Sequence, residues 1–142
     1  MTVIDTANPV VQLCAAGIAA EQAGDGERAT ALYRRAWEAR TDALDAAMAA
    51  HYLARVQSDA AARLQWNQLA LDEALAAGEP AVSFLPSLHL NLGHSHEETG
   101  DLGNAAIAYQ RAMAALDGLE AELRESLRGP IERAQRRITA AT

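Results

Sequence analysis

His89-Leu90-Asn91-Leu92-Gly93-His94-Ser95-His96, then Gly100-Asp101, then Ala105-Ala106-Ile107-Ala108-Tyr109, is a stretch that recurs in outline near the start of the chain. There Leu13-x2-Ala16-Gly17-x2-Ala20 is followed by Gly24-Asp25 and by Ala29-x3-Tyr33. In both copies the glycine and the tyrosine stand 16 residues apart, with the Gly-Asp pair between them. Glycine stops a helix and aspartate caps the next one. Each copy therefore reads as two helices joined by a tight turn, with Gly17 and Gly93 as the points where the two helices touch.

This pattern resembles the tetratricopeptide repeat, a helix–turn–helix unit of about 34 residues with the signature W-x2-L-G-x2-Y…A-x3-F. The resemblance implies an all-α fold: three helix–turn–helix repeats in a short right-handed α-solenoid, closed by a C-terminal capping helix. It covers residues 10–118 and is carried by the first and third repeats. The second repeat is cryptic. Setting Ala50 level with Gly17 and Gly93 places Ala62 and Trp66 on the Ala-x3-aromatic positions, with a capped turn at Gln57-Ser58-Asp59.

The expected organisation is a leader (1–8) and one domain (9–142), with repeats at about 10–43, 43–78 and 80–118 and a capping helix over 119–140. Asn8-Pro9 is a helix start, with an N-cap residue followed by proline at the first helical position. Helix 1A is predicted to run to residue 23, helix 2A over 41–57, helix 2B over 59–77 and helix 3B over 102–117. Between Ala50 and Gly93 the chain carries ten residues more than between Gly17 and Ala50. This surplus leaves two readings of helix 3A: a start near Pro80 with Pro86 bending it, or an extended link over 81–85 and a start at Pro86. In the last segment Leu119, Leu123, Leu127 and Ile131 recur every four residues, beside the pairs Glu120–Arg124 and Glu132–Arg136. The segment reads as an amphipathic closing helix, bent or broken at Gly129-Pro130.

Composition narrows the function. The net charge of −7 opposes a nucleic-acid partner, which needs a basic face. All basic residues are arginine, so lysine Schiff-base chemistry is excluded. No apolar run approaches the roughly 20 residues that span a membrane. A lone cysteine, Cys14, fits a reducing compartment, and the cytoplasm is the expected location.

The family's ligand contacts come from its A helices, which line the concave face. The resemblance carries these positions onto Val11, Cys14, Ala15, Ile18, Glu21 and Gln22 in the first repeat. In the second they are Leu44, Ala47, Met48, His51, Ala54 and Arg55, and in the third Ser87, Leu90, Asn91, His94, Glu97 and Glu98. His51 and His94 fall at one repeat position on neighbouring helices. Ser87, Asn91, His94 and Glu98 share a helix face through their 4, 3, 4 spacing. Arg55 lies one turn beyond His51, level with Glu98. The candidate ligand groove is therefore His51, Arg55, Ser87, Asn91, His94 and Glu98. Arginine suits a carboxylate and asparagine a backbone amide. Arg55 paired with Glu98 in a merely wet groove is the competing reading.

His89 and His96 sit at the repeat's aromatic packing positions and read as stand-ins for those rings near Tyr109. His94 and His96 point away from each other on a helix, so no metal site is expected, and no cofactor is called for. Cys14 lacks an activating base or cation. The leading expectation is a non-enzymatic interaction module that binds a peptide or partner protein, with no nucleic acid and no membrane. The alternatives are a small-molecule or catalytic pocket, using His51 and His94 as acid–base groups and Arg55 as anion anchor, and a scaffold that self-associates, for instance as a homodimer.

Overall fold

The computed structural model describes residues 4–142. Among them the chain forms α1 (Pro9–Gln22), α2 (Gly26–Ala39), α3 (Ala43–Arg55), α4 (Ala60–Ala77), α5 (Leu85–Glu98), α6 (Leu102–Ala115) and α7 (Ala121–Ala141), with no strand. Two short 3₁₀ segments, Glu79–Phe84 and Leu116–Gly118, connect α4 to α5 and α6 to α7. Successive helices pair as α1/α2, α3/α4 and α5/α6, and α7 lies against α5 and α6. The architecture is an all-α solenoid of stacked helix pairs.

Local chemistry sets the boundaries. Asn8, Asp25, Asp42, Asp59 and Asp101 each cap a helix, their side-chain oxygens accepting backbone N–H groups of the first turn. Gly24, Gly78 and Gly100 end α1, α4 and α5 with φ of +80°, +72° and +83°, which only glycine adopts without cost.

The pairing within a repeat is a close approach. Gly17 backs onto the Tyr33 ring, and Gly93 onto the Tyr109 ring, so tightly that a Cβ at either glycine would overlap the ring. Both tyrosine side chains are fully buried. Between the first two repeats Trp37 meets Trp66 edge to face, with ring centroids 5.2 Å apart. The small core residues Ala46, Ala47, Ala49, Ala50, Ala70 and Ala74 let the middle helices approach closely.

Two expectations about the surplus residues are corrected. The link is neither a helix from Pro80 nor an extended strand, but a 3₁₀ segment with buried Ala81. Pro86 lies in the first turn of α5, where its missing N–H has no intrahelical partner to lose, so it starts the helix and does not bend it. The closing segment also differs. α7 is one continuous helix through Pro130. Its buried stripe is Ile131, Ala134 and Ile138, packed with Leu90, Tyr109 and Leu116. Leu123, expected on that stripe, is 42% exposed. Of the two expected ion pairs, Glu132–Arg136 forms at 3.9 Å. Arg124 instead donates to the Leu119 carbonyl at 3.4 Å, while Arg128 pairs with Glu125 at 3.5 Å.

Candidate functional site

α1, α3 and α5 together line a groove with two compartments. One is apolar, a cavity of about 320 Å³ walled by Val11, Cys14, Ala15 and Ile18 of α1, by Leu44, Ala47, Met48, His51 and Tyr52 of α3, and by Ser87 and Leu88 of α5. Ile4 from the leader and Phe84 from the 3₁₀ link complete it. The other is polar and smaller, about 170 Å³, walled by His51, Ala54, Arg55, Arg63, Asn67, Asn91, His94, Ser95 and Glu98. His51 lines both compartments and stands between them.

Five of the six candidate groove residues, His51, Arg55, Asn91, His94 and Glu98, thus line one cavity. Ser87 lies in the apolar compartment, joined to the others through His51. The His51 ring faces Asn91, with Nδ1 3.4 Å from the amide Nδ2, so the neutral imidazole accepts from the amide. It also packs edge-on against Tyr52 at 4.7 Å. Burial, reinforced by the Arg55 charge, lowers the His51 pKa. His94 is exposed and leans on the Tyr109 ring at 5.7 Å; burial of part of its ring and the Arg137 charge lower its pKa too. The aromatic neighbour expected for His89 and His96 therefore belongs to His94.

The charge pairing is rearranged. Arg55 does not meet Glu98. Its Nε and Nη2 fork the Glu21 carboxylate across the first repeat interface, each at 3.3 Å. Glu98 is held by Arg63 of α4, at 2.7 Å and 3.3 Å. The reason is reach: the long α4 brings Arg63 over α5, while Glu21 ends α1 directly beside α3. Arg63 also donates to the Gln57 carbonyl.

A three-part pairing recurs. In the first repeat the Tyr33 hydroxyl donates to Glu21, which Arg55 of the next repeat grips. In the third, the Tyr109 hydroxyl donates to Glu97, which Arg137 of α7 grips at 2.7 Å and 3.0 Å. Burial alone would raise the Glu21 pKa, but the hydrogen bonds from Tyr33 and Arg55 outweigh it and the net shift is downward. For Glu97 the Arg137 hydrogen bond dominates and also lowers the pKa. Glu21 and Glu97, which the resemblance placed among ligand contacts, are consumed as staples between repeats.

The candidate set omitted Arg63, Asn67 and Ser95 on the polar side, where buried Asn67 donates to Ser95 at 2.7 Å. It also omitted the apolar compartment as a site. The A-helix register had already named nine of the residues that wall it, but the choice among them favoured polar chemistry. Phe84 and Ile4 had no signal, because neither belongs to a repeat position. Cys14 is buried and its thiol is pushed up to about 12 by burial and then by Asp45, so it stays protonated and apolar.

No family model matches the chain. No curated protein matches it either. Among solved structures the fold is similar to PcrH, crystallised in complex with the chaperone-binding region of PopD. The TM-score is 0.67 at 20% sequence identity, covering 99% of this chain and 98% of that one. The class that this fold defines is a tetratricopeptide-like helical-repeat protein.

Proposed function

We propose that this chain is a non-enzymatic interaction module that holds an extended segment of a partner protein in the groove of α1, α3 and α5. The observation that carries the reading is the two-compartment groove, with a cavity of about 320 Å³ sized for a large apolar side chain beside a polar wall of amide and imidazole groups. An anchor residue buried in the first compartment would supply most of the affinity. Asn91 and His51 would pair with a backbone amide next to it and set the register. The similar fold of PcrH, a protein captured with a segment of PopD, is consistent with this use of the concave face.

The catalytic alternative has less support. Its anion anchor, Arg55, is already neutralised by Glu21, and His94 is turned toward Tyr109. An acid–base pair needs both groups within reach of one reacting atom.

Selection from a library of random extended peptides tests the proposal. We expect binders that share one large apolar residue and lose affinity at least about tenfold on Ala15→Trp, which fills the apolar compartment. Binders indifferent to Ala15→Trp would reject the groove.

A further inference from the structure

We propose that the first occupant of the apolar compartment is the chain's own Ile4, which a partner's anchor side chain must displace. The proposal rests on the groove reading above and adds an internal competitor to it.

Ile4 contributes to the wall of the apolar cavity although it lies outside every helix. Its position follows from how residues 5–8 are tied down. The Asn8 N–H donates to the Asp5 carbonyl at 3.0 Å, and the Ala7 N–H to the Asp5 carboxylate at 3.0 Å, which closes a turn. Gln12 of α1 donates its side-chain amide to the Thr6 carbonyl at 3.2 Å. The turn is fastened to the groove itself: the Asn8 amide donates to buried Asp45 of α3 at 2.7 Å. The other oxygen of Asp45 accepts from the backbone and hydroxyl of Thr41 at 3.0 Å and 3.1 Å. Asp45 lies between Leu44 and Ala47, both of which line the cavity. The leader is therefore anchored to the helix that forms the floor, and it delivers an isoleucine to the mouth.

The hold is partial. Ile4 remains 49% exposed, so it covers the opening without filling the cavity. Half the burial of an isoleucine side chain corresponds to about a three- to tenfold weakening of any competing apolar ligand. That is strong enough to disfavour weak apolar ligands and weak enough for a good anchor residue to win.

Two measurements on the full chain test this. In the first, the probe is the dye 1-anilinonaphthalene-8-sulfonate, titrated against wild type, Ile4→Gly, Ala15→Trp and Leu75→Gly. Leu75 is an equally exposed apolar residue on α4, outside the groove. We expect Ile4→Gly to tighten dye binding about three- to tenfold, Leu75→Gly to leave it unchanged and Ala15→Trp to abolish it. Unchanged or weaker binding by Ile4→Gly, with loss in Ala15→Trp, would overturn the competitor and keep the groove. Dye binding that survives Ala15→Trp would overturn the groove reading itself. In the second, methyl NMR of the wild type should show nuclear Overhauser contacts from the Ile4 δ1-methyl to Val11, Ile18 or Met48. They should vanish when a library-selected peptide binds. Their absence in the free protein would overturn the proposal whatever the dye does.

Discussion

The ring of Tyr109 occupies the space into which a Cβ on residue 93 would project, and its hydroxyl reaches Glu97 one turn further along α5. Tyr33 stands in the same relation to Gly17 and Glu21. One aromatic residue thus does two things in each outer repeat. It closes the two helices on each other, and it positions the carboxylate that the following helix grips.

The first prediction concerns this close approach. Gly17→Ala and Gly93→Ala should each destabilise the fold by about 1–3 kcal/mol, because a fully buried ring has no room to retreat. Gly103→Ala should instead stabilise by up to about 1 kcal/mol, since its Cβ meets only Asp101 at 3.9 Å and helix propensity favours alanine. Urea denaturation of the three variants checks both signs.

Arg137 fastens α7 through the Glu97–Tyr109 pair. In a double-mutant cycle, Tyr109→Phe and Arg137→Ala should each cost about 1 kcal/mol or less, because Arg137 is half-exposed and its ion pair is screened. Their effects should be coupled, since both groups act on one carboxylate. Strict additivity would show that the two contacts are independent.

Acid should destabilise the protein through its buried histidines. Burial, then the Arg111 charge, lowers the His89 pKa, and its Nδ1 has no hydrogen-bond partner. Below the unfolded value of about 6.5 the unfolded chain gains protons at His89 and His51 that the folded chain does not. Stability is therefore full above that pH and falls as the pH drops toward the lowered folded values, by at most about 1.4 kcal/mol per pH unit for each histidine. His89→Leu should lessen the loss between pH 7.5 and pH 5.5, read from urea midpoints at the two pH values. The lowered pKa of both groove histidines also moves any histidine-linked change in binding below the range of pH 6–7 that free imidazoles would suggest.

The groove arginines are held neutral by carboxylates. Glu21→Gln and Glu98→Gln would release Arg55 and Arg63. Peptides carrying a carboxylate beside their apolar anchor should then bind about two- to fivefold tighter, an advantage that disappears at 0.5 M salt. Measurement by fluorescence anisotropy at two salt concentrations decides it.

Much of the solenoid is legible in the sequence because helix ends depend on local chemistry. Asn8-Pro9, Asp25, Asp59 and Gly78 act through bonds within a few residues, so their spacing alone marks α1 to α4. The groove register was legible for the same reason: the alignment of Ala50 with Gly17 and Gly93 puts His51 opposite Asn91. Charge partners were not. Whether Glu98 meets Arg55 or Arg63 depends on how far α4 extends over α5, and no repeat position encodes that. The exposure of Leu123 was hidden because the rotation of α7 is set by Ile131, Ala134 and Ile138 against the third repeat. A period of four along one helix cannot reveal which turn of it touches a neighbour.

The 3₁₀ link Glu79–Phe84 interrupts an otherwise regular stack, and it supplies Phe84 to the apolar compartment. Idealising this chain toward a uniform repeat would trim that segment first, since it matches no repeat position. The trimmed protein would keep its stacked helices and lose one side of its pocket. Stability and recognition are thus written in different parts of the same chain, so that a redesign judged by melting temperature alone would select against the groove without any sign that it had done so.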